Sequence, residues 1–93
     1  MPNPKDVSRA LLKKGFVEKK KKNHDYFSFY NSQGKKTSIT TLLSRGSAEI
    51  GESLLGTMAR QCKLSLADFS RLVSCAMEGD EYEKTLRERQ HIE

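Results

Sequence analysis

Apolar residues recur along the chain first at helical spacing, then at every second position, then at helical spacing again. Val7, Ala10 and Leu11, with Lys14 in register, predict a first helix. Asn3 followed by Pro4 reads as its N-cap and first turn, and Gly15 ends it. Phe16 to Lys20 reads as a strand that runs into a lysine-rich hairpin turn around Lys21, Lys22 and Asn23. From His24 to Asn31 strict alternation puts His24, Tyr26, Ser28 and Tyr30 on one face and Asp25, Phe27, Phe29 and Asn31 on the other. Phe27 and Phe29 are the expected core pair. Asn31-Ser32-Gln33-Gly34 is a turn signal, with glycine where a positive φ is needed, and the β-branched stretch from Lys36 to Thr41 follows as a third strand.

After Ser44-Arg45-Gly46-Ser47 breaks the pattern, the helical period returns. Ile50, Leu54, Leu55, Met58 and Cys62 mark the stripe of a second helix, with Gly51 and Gly56 as weak points in it. Ser65-Leu66-Ala67-Asp68 is a capping-box pattern that opens a third helix, whose expected buried face is Phe69, Leu72, Val73, Ala76 and Met77. Gly79 is expected to stop it. Asp80 to Glu83 then reads as a further cap, with Tyr82 and Leu86 pinning a short last helix before a charged tail, Arg87 to Glu93. The class is therefore α+β: helix, three-stranded antiparallel meander, helix, and additional C-terminal helices. With 93 residues the chain buries one modest core, so residues 1–93 are expected to form a single domain.

Composition narrows the possibilities. Hydrophobic residues make up 35% and charged residues 31%, so the periodicity, and not bulk hydrophobicity, carries the expectation of a fold. No apolar run approaches the roughly 18 residues of a membrane span, and Met1 to Lys5 lacks the apolar stretch of a signal peptide. Those features point to the cytoplasm and to no membrane partner. Cys62 and Cys75 each fall among residues of helical period and read as free thiols that pack. Charge is uneven: residues 1–48 hold 11 Lys and Arg against 3 Asp and Glu, whereas residues 49–93 hold 6 against 9. The first half is the one suited to a polyanion.

The catalytic inventory is short. A glycine-rich phosphate loop, a nucleophile elbow and the HExxH and CxxC metal patterns are all missing, so neither a metal nor a cofactor is implied. His91 falls in the polar tail and reads as solvated. His24 opens a strand beside the lysine turn and on the same face as two tyrosines, which puts a proton carrier within reach of a bound phosphate. Tyr26 and Tyr30 suit stacking on unpaired bases, and Lys19, Lys20, Lys21, Lys22, Lys35 and Lys36 suit phosphates; cross-strand packing of the tyrosines is the other reading of the same pattern.

The element order and several residues resemble the HicA-like (YcfA-like) toxins, mRNA interferases of toxin–antitoxin systems. The residues that carry the resemblance are Gly15-Phe16 after the first helix, His24 at the second strand, Gly34 in the second turn, and Gln61 through Leu64-Ser65 to Phe69. The resemblance implies a core over residues 1–64 similar to double-stranded RNA-binding domains, and a helical extension over 65–93. It also implies His24 as the catalytic residue of a metal-independent endoribonuclease, RNA as substrate and a HicB-like antitoxin as partner. A homodimer stays open. Lys22 and Asn23 stand where the family has a small pair before the histidine. The alternatives are a non-catalytic RNA-binding module and a protein-interaction domain that uses the extra helices.

Overall fold

The computed structural model describes residues 3–44, 51–74 and 76–92; Arg45, Gly46, Ser47, Ile50 and Cys75, which figure in the sequence pattern, lie outside them. Helix α1 (Pro4–Lys13) is followed by strands β1 (Phe16–Lys20), β2 (His24–Tyr30) and β3 (Lys36–Ser44), then by helices α2 (Glu52–Gln61), α3 (Leu66–Val73) and α4 (Gly79–Glu88). The strands form one antiparallel sheet in the order β1-β2-β3. This is the α+β architecture expected from the periodicity.

Local chemistry accounts for most boundaries. The Asn3 side chain accepts the Asp6 N–H at 2.9 Å, and Pro4 occupies the first turn, where a missing N–H costs nothing. Gly15 has φ +102°, and a Cβ there would meet the Phe29 ring at 3.0 Å, so glycine is needed both for the turn and for the close approach of β2. Ser65 caps α3 by accepting the Asp68 N–H at 3.1 Å. The Asp68 carboxylate faces Arg71 and Arg89.

One face of the sheet is the floor of the core. Phe16 of β1, Phe27 and Phe29 of β2, and Ile39 and Leu43 of β3 are buried there with Val7 and Leu11 of α1. The C-terminal helices are part of the same core: Phe69, Leu72, Tyr82 and Leu86 are fully buried. Tyr82 lies 5.8 Å from Phe16 and 4.9 Å, edge-on, from Phe29 by ring centroids, and its hydroxyl donates to the Cys62 carbonyl at 2.8 Å. That carbonyl belongs to the C-cap of α2, where no helical N–H reaches it.

The third helix is shorter than its periodicity suggests. It ends at Val73 with Ser74 as C-cap, Ala76 is exposed, and Met77 is buried from a loop. Gly79 does not stop α3 but starts α4: a Cβ at Gly79 would stand 2.9 Å from the Lys14 carbonyl oxygen, so the approach of α4 to the end of α1 requires glycine. Lys14 is itself buried, and its ammonium donates to the Met77 carbonyl. The tail is not wholly free either. Gln90 takes φ +61°, the Gln90 and His91 N–H groups donate to the Arg87 and Leu86 carbonyls, and Ile92 packs against the core. Among the described residues no helix is long and apolar enough to cross a membrane.

Candidate functional site

The second face of the sheet carries the sequence-predicted site. The register pairs His24 with Ser44, Lys19 with Tyr26 and Tyr26 with Leu42, Val17 with Ser28 and Ser28 with Thr40, and Tyr30 with Lys36. Side chains alternate across a strand, so His24, Tyr26, Ser28 and Tyr30, with Val17, Lys19, Lys36, Thr40 and Leu42 across from them, point away from Phe27 and Phe29. Val17, Lys19 and Lys36 are exposed, and His24, Tyr26, Ser28, Tyr30, Thr40 and Leu42 are half-buried. Ser28 and Thr40 share a hydrogen bond of 3.0 Å at the centre of the face.

His24, Tyr26 and Tyr30 thus stand in one file along β2. Lys19 lies directly across from Tyr26, within about 5 Å between Cβ atoms, as cross-strand partners do. The other lysines divide. Lys20 pairs with Asp25 and so projects on the helix side of the sheet, while Lys21 and Lys22 are exposed in the hairpin turn that the Lys21 N–H closes onto the His24 carbonyl at 2.8 Å. Lys35 and Lys36 sit at the far end of β2, beside Tyr30. Six residue steps along β2 take the chain from His24 to Tyr30, or about 20 Å.

Among the described residues, no hydrogen bond or ion pair holds the His24 imidazole. An imidazole without a carboxylate or carbonyl to orient it must be aligned by what binds beside it. The second histidine, His91, is exposed but not isolated: with Gln90 and Ile92 it lines a cleft of about 570 Å³ whose other wall includes Lys35, Lys36 and Ser38. It therefore sits at the Tyr30 end of the sheet and cannot share a proton-transfer step with His24. Sequence reading missed this placement, and the one available signal was Ile92, a lone apolar residue in a polar tail.

Neither a protein-family model nor a curated protein matches the chain. What each resemblance-carrying residue does is therefore read from its own contacts. Gly15 and Gly34 hold positive φ, Phe16, Leu64 and Phe69 are core, and Ser65 is a cap. The Gln61 side-chain oxygen accepts from the Thr41 hydroxyl at 2.7 Å and the Leu42 N–H at 3.3 Å, tying α2 to β3. Of that set, His24 alone presents a reactive side chain on the outer face.

The Cys62 thiol and the Tyr82 hydroxyl serve the core. Burial pushes the Cys62 thiol up to about 12, and burial with the neighbouring Cys62 raises Tyr82, so both stay neutral at physiological pH. Among the described residues no group of three or more His, Cys, Asp or Glu side chains comes together as a metal site.

Proposed function

We propose that the chain binds RNA on the outer face of its sheet and cleaves it through His24, without a metal ion, as a growth-inhibiting mRNA interferase of the HicA-like kind. The observation that carries this reading is the file of His24, Tyr26 and Tyr30 on a sheet face that has no buried side chain among the described residues, with Lys19 and the Lys21–Lys22 turn beside the histidine. Tyrosine rings stack on unpaired bases, and ammonium groups attract the phosphates between them. In the cleavage step the 2′-oxygen attacks the adjacent phosphorus, the bond to the 5′-oxygen breaks, and the proton lost by the 2′-hydroxyl ends on the leaving oxygen. His24 moves that proton, and lysines stabilise the charge on the phosphoryl oxygens. Such a protein works in the cytoplasm, and its partner is a HicB-like antitoxin that covers the His24 face.

A specific observation favours a second reading, a non-catalytic RNA-binding module: nothing among the described residues orients the His24 imidazole, and the other histidine lines the cleft at the Tyr30 end of the sheet. His24→Ala separates the two. The half-exposed imidazole contributes little to the core, so the melting temperature is expected to hold, and lysines keep most of the RNA affinity. Cleavage in the presence of chelator is expected to fall by about 10²–10⁴-fold. Equal cleavage by variant and wild type sinks the His24 mechanism. RNA binding with no cleavage by the wild type establishes the binding module instead.

A further inference from the structure

We propose that the cleft between the β2–β3 turn and the C-terminal segment is a second phosphate-binding subsite, separate from the His24 end of the sheet. Lys35, Lys36 and His91 converge on it from two segments that lie far apart in sequence. None of the three has an ion-pair partner among the described residues, whereas Arg9, Arg71, Arg87 and Arg89 each face a carboxylate. Among the described residues nothing acidic lines the cleft or pairs with its lysines.

The backbone of both walls is tied to the rest of the fold. In the turn, the Asn31 side-chain oxygen accepts the Gln33 and Lys35 N–H groups at 2.9 and 3.0 Å, which leaves the amide NH₂ of Asn31 as a donor at the cleft. The neighbouring Ser32 N–H donates to Glu83 at 2.9 Å and anchors the turn to α4. On the other side, the His91 N–H donates to the Leu86 carbonyl at 2.8 Å while Ile92 packs on the core, so the histidine is set at the cleft by backbone and not by chance. Ser38 adds an exposed hydroxyl. Cations and neutral donors gathered around one cleft are what a phosphate group selects; the backbone that carries them is already tied down, and the exposed lysine side chains order as the ligand binds. The cleft, about 570 Å³, falls within the range of small-ligand sites.

The ligand chemistry is a phosphate group, either free or in a nucleic-acid backbone. That it belongs to the RNA on the same sheet rests on the function proposed above, since a strand running from His24 past Tyr26 and Tyr30 ends at this cleft. The test uses the full chain and two probes. Backbone amide and histidine ring signals are followed by NMR while inorganic phosphate is added, against chloride at equal ionic strength. Saturable shifts at Lys36, Ser38 and His91 are expected with phosphate alone, weakened at least about tenfold in the exposed double variant Lys36→Gln/His91→Gln. Lys19–Lys22 replaced by Gln should leave them unchanged. RNA titrated into wild type and the double variant should show a salt dependence shallower by about 0.7 for each phosphate the variant no longer neutralises. Phosphate binding without RNA binding keeps the subsite and removes RNA as its ligand. No saturable shift in the wild type, or equal phosphate affinity in a folded double variant, overturns the subsite.

Discussion

Replacing Tyr82 by phenylalanine and by alanine measures how far the C-terminal helices support the sheet that carries His24. The phenol donates to a carbonyl that has no partner within its own helix, at 2.8 Å and in a buried setting. Tyr82→Phe leaves that oxygen unsatisfied and is expected to cost about 1–2 kcal/mol. Tyr82→Ala also removes a fully buried ring that packs on Phe16 and Phe29, a loss of about 3–5 kcal/mol for an aromatic residue truncated in a core. A chain of 93 residues has roughly 5–14 kcal/mol of total stability, so the alanine variant approaches the threshold of unfolding. Urea unfolding monitored by circular dichroism and by near-ultraviolet tyrosine signal gives both values. The phenylalanine variant should melt about 4–16 °C lower, in one transition with an unchanged slope in urea. If both variants unfold within about 0.5 kcal/mol of wild type, or if α4 melts in a separate early step, α4 is an appendage and does not share the core of the sheet.

Other outcomes follow from the same contacts. Gly79→Ala should destabilise by about 1–3 kcal/mol in thermal melts, because the Lys14 backbone 2.9 Å from the new Cβ cannot yield; Gly56→Ala, with only the Arg60 guanidinium at 3.9 Å, should instead gain up to about 1 kcal/mol. Cys62 keeps its proton in the folded state to about 12 but releases it near 9.0 once unfolded, so its contribution is complete below pH 9 and is lost as pH rises towards 12. Melting from pH 8 to 11 should show that fall, by up to about 1.4 kcal/mol per pH unit from the thiol, and Cys62→Ala should lessen it, chiefly below the ordinary tyrosine value of 10.0, above which the buried Tyr82 adds its own fall. Replacing Lys19, Lys20, Lys21 and Lys22 by Gln should weaken RNA binding and flatten its salt dependence; an unchanged anisotropy titration removes the hairpin from the interface.

Much of the architecture was legible in the chain because caps, turns and periodicity are local. Asn3 and Ser65 accept from N–H groups three residues on, Gly15 and Gly34 take the positive φ their turns need, and alternation along β2 sorts His24 and the tyrosines from Phe27 and Phe29. The candidate site was legible for the same reason, as far as it lies on one strand. The end of α3 was not, since Met77 keeps the helical period while serving the core from a loop. Nor was the role of Gly79, whose requirement comes from the Lys14 backbone and not from its own neighbours. The same holds for contacts that join distant segments: Lys14 to Met77 across 63 positions, Ser32 to Glu83 across 51, and His91 brought to Lys35 and Lys36. Hydrophobic period tells which side of an element is buried but not which element buries it. That choice is made by packing the whole chain, and it is what set the two histidines at opposite ends of one sheet.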